Sequence, residues 1–273
     1  MSAMPSYDSD ARRSPMLREL LDLVRYRDVV RLFIANLNKT RYKRSVLGIG
    51  WTLLNPLLNM AVLTVAFSRV FRFSVEHYPV YVLCGLICWN LFSQTTVHAM
   101  NSLVWGGSIL RRVYLPRSIF AVSAVGNGLV NLGLALIPLV IIMAVLGHPF
   151  HATWWFLPIA TLLLAMFSLG MALLVSTVAI FFVDVAEMYG IVIQAWFFLT
   201  PIVYPKEILG PRLAWCMNLN PMYNLLELFR TPIVTGAIPG VHTILAGVTS
   251  AVVPLLLGWW VFARKADEFA YRI

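Results

Sequence analysis

The chain alternates long apolar runs free of charge with short polar ones. Residues 45–68, 77–110 and 118–183 contain no Asp, Glu, Lys or Arg. A bilayer-spanning helix needs about 20 mostly apolar residues. A charge at the bilayer centre costs about 2.5–3.5 kcal/mol on the insertion scale. Runs this clean therefore predict membrane spans. Six are expected, at residues 45–68, 78–102, 118–146, 154–183, 188–203 and 241–263. Asn55-Pro56 falls inside the first and predicts a kink there.

Two stretches follow other patterns. In residues 16–38, Leu17, Leu20, Leu21 and Val24 recur at i, i+3, i+4 and i+7, as in an amphipathic helix. Arg18, Asp22 and Arg25 occupy the opposite face. The stripe loses phase at Arg27-Asp28 and resumes at Val30, Phe33, Ile34 and Leu37, which predicts a bend. The segment is too charged to span. It either lies in the membrane interface or packs as a small cytoplasmic helix on the protein. Residues 204–240 are cut by Pro205, Pro211, Pro221, Pro232 and Pro239. Two pieces, 213–218 and 222–234, read as short helices that enter the membrane and return. Broken backbone at that depth is tolerated only under cover of protein or beside a water-filled cavity.

The expected fold is all-α: six transmembrane helices, an N-terminal amphipathic interface helix, and re-entrant gate helices between the fifth and sixth spans. Residues 1–15 are polar, expected to be disordered, and lack the apolar core of a secretory signal. Residues 16–44 form the interface helix and a basic entrance segment. Residues 45–263 form the transmembrane domain, with a cytoplasmic loop at 105–117 and an outward segment at 205–240. Residues 264–273 form the C-terminal tail.

Composition agrees with this picture: 60% of residues are hydrophobic and 12% charged. The net charge of +9 could suggest a nucleic-acid partner. Ten of the 21 basic residues, however, lie in the first 44 positions, beside the first span. They read as topology signals and headgroup contacts, not as a nucleic-acid surface. Six spans place both termini on one side. That side carries sixteen Lys and Arg against five on the other, Arg69, Arg72, Lys206, Arg212 and Arg230. Both termini are expected in the cytoplasm, in a multi-pass protein of the cytoplasmic membrane. Cys84, Cys88 and Cys216 read as packed reduced thiols, since a metal would need more ligands than surround them.

Catalytic signatures are absent. There is no G-x-x-x-x-G-K-[ST], no H-E-x-x-H, no G-x-S-x-G and no carboxylate pair within a span. No catalytic residue, metal site or cofactor of its own is expected. His98 reads as a hydrogen-bonded imidazole facing the bundle. Asp184 and Glu187 fall at a turn and not in the membrane core, which argues against a proton relay.

Four segments stand out. Arg41, Tyr42, Lys43, Arg44, Leu47 and Gly48 join the amphipathic helix to the first span. Their cations suit either an anionic lipid headgroup or positive-inside anchoring. The loop between Gly106-Gly107 and Arg117 carries Ser108, Arg111, Arg112, Tyr114 and Pro116, and suits docking to a partner protein. Asp184 and Glu187 sit in a tight turn. The aromatic run Trp196-Phe197-Phe198 precedes the proline-cut segment.

These segments resemble the membrane subunit of type-2 ABC exporters that move lipid-linked polysaccharides, the Wzm and TagG-like permeases. The matching stretches are RYKRSVLGIGWTLLNP (41–56), ILRRVYLPRSIF (109–120), FFLTPIVYP (197–205) and LNPMYNLLELFR (219–230). The resemblance implies a homodimer with a glycan pore along its axis. It also implies a separate ATP-binding subunit, which binds ATP and Mg and hydrolyses the ATP. It makes 107–117 the coupling helix that enters the ATPase, with Asp184 and Glu187 beside it. Leu47-Gly48 would lie at the substrate entrance. Pro205, Pro221, Tyr223, Glu227 and Arg230 fall in the outward gate. Trp51, Trp196, Phe197, Phe198 and Tyr204 are the candidates for stacking sugar rings, with an interfacial aromatic belt as the alternative for each. Helix spacing puts Trp196, Thr200 and Tyr204 on one face, which is expected to meet the lumen. Other functions compatible with the sequence are a type-2 exporter of drugs or other lipids and a membrane-embedded glycosyl- or acyltransferase. The lack of a paired-acid or His-Asp site counts against the transferase.

Overall fold

A computed structural model describes residues 15–42, 48, 50–66, 77–105, 115–208 and 215–269. Among these residues there is no strand. Nine helices are followed here: α1 (Pro15–Arg25), α2 (Arg27–Tyr42), α3 (Gly50–Val65), α4 (Tyr78–Trp105), α5 (Ile119–Leu146), α6 (Leu157–Phe181), α7 (Asp184–Leu199), α8 (Pro221–Val234) and α9 (Val241–Lys265).

Among the described residues, four helical segments are long and apolar enough to cross a bilayer: α4, α5, α6 with its leading turn Ala152–Phe156, and α9. The 28 residues of α4 and of α5 give each a length of about 42 Å. Helices α3 and α7 have 16 residues each. At about 1.5 Å per residue they reach about 24 Å, short of a hydrocarbon core of about 30 Å. The fifth span expected at 188–203 matches α7 in length but lies four residues later along the chain, and α3 falls within the first, 45–68, whose ends lie outside the described residues. Helix α7 ends because Thr200 precedes Pro201 and is extended, with φ −104° and ψ 132°. Helix α3 runs through Pro56 without a break. The amphipathic segment is divided at Tyr26, a turn residue between α1 and α2, next to Arg27-Asp28 where the stripe loses phase.

Helices α4 and α6 form the interior, while α5 and α9 are mostly exposed. The exposed residues of α5 and α9 are mostly apolar, among them Val140, Ile141, Val145, Leu245, Leu256 and Leu257, with His242, Arg264 and Lys265 near the ends of α9. That is the surface a bilayer covers. Helix α6 crosses α9 at Gly170 and Gly258, where the two backbones touch. Small residues permit such approach and are the common device for packing helices in lipid. One buried cluster runs through α4, α6 and α8, with Phe92, Phe167 and Phe229 at its centre.

Helices α1 and α2 lie at the end of the bundle that carries Arg117, Arg264 and Lys265. The Ser118 hydroxyl donates to Glu19 at 2.9 Å, and the Trp259 indole donates to the Met16 carbonyl at 3.3 Å. Phe33 meets Phe120 edge-on at 5.6 Å. Leu23, Tyr26, Val29 and Val30 also pack on the bundle. Leu20, Leu21, Val24 and Leu32 point away from it. The segment thus has one face on protein and an apolar face left over. At the opposite end, His148 meets His77 edge-on at 4.9 Å and His151 edge-on at 6.0 Å. Gly147 stops α5 there in a left-handed conformation (φ 68°) that a side chain would strain.

Candidate functional site

A cavity of about 580 Å³ opens between α3, α4 and α5, reached also by Leu37 of α2. On α4 its wall runs from Ile87 to Asn101, fourteen helical rises or about 21 Å. It therefore forms a trough along roughly half of that helix. Asn90, Gln94, His98 and Asn101 repeat at i, i+4, i+8 and i+11, so one face of α4 is polar. Asn127 and Asn131 face it from α5, and Asn55 faces it from α3. Among the described residues lining the trough none is charged.

Two polar atoms in this wall are buried without a hydrogen-bond partner, Thr95 Oγ1 and Asn131 Oδ1. Several hydroxyls elsewhere in the bundle donate to the carbonyl one turn earlier, although Ser123 and Ser176, outside the trough, are also buried without a partner. Ser93 donates to Trp89, Thr96 to Phe92 and Thr177 to Leu173. Thr95 does not. A Cβ at Gly128 would strike Thr95 Oγ1, so the glycine lets α5 pack close against the Thr95 side of α4 at the trough wall. Polar side chains at membrane depth face the bundle interior or a watered cavity. Gln94, Asn55 and Asn101 are exposed at the rim of the trough, and Trp51 stands beside them, 47% exposed.

Trp196 and Phe197 take different positions. Trp196 packs edge-on against Phe92 at 5.2 Å and Phe167 at 6.2 Å. Its indole donates to Asn220 Oδ1 at 3.0 Å. Phe197 meets Trp89 at 5.5 Å, while Phe198 is exposed. The Trp196–Thr200 face therefore points into the chain's own bundle. Tyr204 is off that helix face, because α7 stops at Leu199; its hydroxyl donates to the Phe198 carbonyl at 2.8 Å. Asn220, which sequence reasoning passed over, organises this region. Its side chain accepts from the Met222 amide to cap α8 and donates to Thr200 Oγ1 at 3.0 Å. Asn220-Pro221 is the cap-then-proline signal of a helix start, so the position was readable. Trp196 is half-buried, so Trp196→Ala should destabilise the protein by less than the about 3–5 kcal/mol of fully buried aromatic truncations. Thermal unfolding of detergent-extracted protein measures this, with Phe198→Ala as the mild comparison.

The outward-gate candidates cluster. Tyr223 and Arg230 are buried, Pro221 and Glu227 half-buried. Arg230 donates to the carbonyls of Pro201 and Ile202, both at 3.0 Å. Tyr78 donates to Val203 O at 2.5 Å and Tyr81 to Tyr204 O at 3.1 Å. The chain between α7 and Pro205 is thereby tied to α4 and α8. Pro205 itself is half-buried, and Lys206 stands over the Tyr223 ring at 5.7 Å.

At the basic end, Ser108, Arg111, Arg112 and Tyr114 lie outside the described residues. Pro116 is buried. Arg117 donates to the Ala266 carbonyl and lies 5.9 Å from the centre of the Phe269 ring. Phe269 is fully buried and meets Phe181 at 6.2 Å. The C-terminal turn thus joins the end of the 105–117 loop to the α6–α7 turn. Asp184 and Glu187 are exposed in the first turn of α7, where a carboxylate complements the helix dipole. Arg41 and Tyr42 form the last turn of α2. Lys43, Arg44 and Leu47 lie outside the described residues, and Gly48 is a turn with φ 50°. Among the described residues no cluster of His, Cys, Asp or Glu could hold a metal ion.

A model of the ABC-2 type transporter family matches residues 29–234, well over half of the sequence. The chain belongs to this family. Over 262 residues this ABC-2 protein is 27% identical to the O-antigen export system permease protein RfbA of Myxococcus xanthus, covering 94% of this chain and 100% of that protein. It is 26% identical over 234 residues to a protein of the same name from Klebsiella pneumoniae, covering 85% and 90%. The polysialic acid transport protein KpsM of Escherichia coli is 24% identical over 205 residues, covering 73% and 79%.

Proposed function

We propose that this chain is the permease subunit of an ATP-driven exporter that moves a lipid-linked polysaccharide across the cytoplasmic membrane. The observation that carries this reading is the family match, joined to near full-length similarity to O-antigen export permeases. A long polar glycan cannot cross hydrocarbon unaided, so it needs a sheltered path. Two copies of the chain, related by closed twofold symmetry, form that path along their shared axis. Weak contacts at several places let the glycan both enter and leave, as in channels. Six spans place both termini in the cytoplasm, and residues 205–240 close the outward end. The entrance cations Arg41, Lys43 and Arg44 meet the phosphate of the lipid carrier.

Energy comes from a separate ATP-binding subunit, which holds ATP and Mg and docks on the loop 105–117. The C-terminal turn supports this placement, because it anchors Arg117 to the neighbouring turn through Ala266 and Phe269. Depleting the protein should leave the glycan inside the cell. Changing Arg111 and Arg112 to Glu should abolish export and the ATPase stimulation while leaving the amount of folded protein unchanged. Surface-glycan immunoblots and ATPase rates of the co-purified pair measure both. Full export by that double variant would refute the docking role, and normal surface glycan after depletion would refute the exporter itself.

A further inference from the structure

The chemistry of the trough is selective. Six carboxamides line it, Asn55, Asn90, Gln94, Asn101, Asn127 and Asn131, and no charged group is among its described lining residues. A carboxamide offers both donors and an acceptor without net charge. A sugar hydroxyl likewise donates and accepts in one group. A phosphate instead calls for Arg, Lys or a helix N-terminus. An acyl chain calls for a wholly apolar wall, in which every amide would lose its hydrogen bonds. The lining therefore suits one part of a lipid-linked glycan, its neutral sugar residues. The volume of about 580 Å³ falls in the range of small-molecule sites.

We propose that the trough between α3, α4 and α5 is a binding site for neutral sugar residues, distinct from the place where the phosphate-bearing lipid end is held. This rests on the reading of the chain as a polysaccharide permease. The buried, unpartnered Asn131 Oδ1 and Thr95 Oγ1 await hydroxyl partners from the ligand. Trp51 at the rim presents a half-exposed flat face against which a sugar ring stacks. With a wall of about 21 Å along α4, the trough holds more than one sugar unit in line. Amides recognise hydroxyls without regard to a fixed register, so the glycan can step along them.

The test uses the permease with its ATPase in lipid nanodiscs. Asn127→Leu with Asn131→Leu keeps similar volume and removes the amides. Thr95→Val removes only the hydroxyl. A structural role predicts that both variants unfold at lower temperature. A ligand site predicts unfolding at the same or higher temperature, because an orphaned acceptor has gone. Surface glycan should meanwhile fall at least tenfold in the double variant and severalfold in Thr95→Val. A second readout places Cys at position 101 in a background lacking Cys84, Cys88 and Cys216. Maltoheptaose should slow its modification by a thiol reagent severalfold, and the double variant should lose that protection. Inorganic pyrophosphate should have no effect. Protection by pyrophosphate alone would make this a phosphate site and overturn the proposal. So would normal export by the double variant, or lowered unfolding temperature in step with lost export in both variants. Dissociation of the two permease copies in the double variant would mean the amides join subunits instead. If the trough variants export normally while the Arg111→Glu, Arg112→Glu protein does not, the permease reading stands and only the sugar site falls.

Discussion

Arg230→Met should cost about 3–5 kcal/mol of stability, seen as a large fall in the unfolding temperature of the extracted protein. Arg230 is 3% exposed and holds two carbonyls at once, those of Pro201 and Ile202. Its guanidinium lies 3.7 Å from the centre of the Tyr81 ring and pairs with Glu227 at 3.5 Å. Removing it orphans both carbonyls and leaves Glu227 half-buried beside no cation. Each such loss is costly on its own. Arg230→Lys keeps the charge but cannot reach both carbonyls with one planar fork, so it should fall between the two. Glu227→Gln should be mild, because the arginine keeps its carbonyls. An Arg230→Met protein as stable as the wild type would show that the tie between α8 and the chain after α7 is not structural.

Arg230 also shows where the sequence is opaque. In a count of basic residues it scores as one more cation on the outward side. Nothing in its local pattern says that it is buried against backbone 28 and 29 residues earlier in the chain. Charge-free runs, by contrast, mark α4, α5, α6 and α9 to within a few residues, since a charge in hydrocarbon is costly wherever it falls. The ends of α7 were legible in part: Pro201 restricts Thr200, yet hydropathy stays high through Val203 and extends the apparent span. The tryptophan run was ambiguous for a different reason. Periodicity puts Trp196 and Thr200 on one face correctly, but only their shared partner Asn220 decides that this face looks inward. The trough went unnoticed because amides are uncharged. Asn90, Gln94, His98 and Asn101 lie at helical spacing in plain view, and a reading that counts charges passes over them. Taken alone, His98 reads as a hydrogen-bonded imidazole. Its bond to Ser102 at 3.3 Å fits that reading, and its neighbours add the polar face.

Gly258→Val should leave little folded protein in the membrane. A Cβ at Gly258 would strike the Gly170 carbonyl, and a Cβ at Gly170 would strike the backbone of Pro254 and Leu255. Backbone cannot rotate aside as a side chain can, so α6 and α9 would have to separate. The dispersion contacts of this crossing would go with them, and in lipid no hydrophobic force pushes the helices back together. The comparison is internal to the chain. A Cβ at Gly126 meets only the Ile34 side chain, and one at Gly247 only Leu228, both flexible. Gly133 has nothing within 4 Å of its Cβ position. Alanine substitutions should therefore rank by damage: Gly258 and Gly170 worst, Gly126 and Gly247 intermediate, and Gly133 neutral or slightly stabilising, since alanine favours the helix by about 1 kcal/mol. Membrane yield and unfolding temperature across the five variants check the order. Equal tolerance at Gly258 and Gly133 would mean that α9 does not cross α6 at these residues, and the packing that sets the interior of the bundle would have to be redrawn.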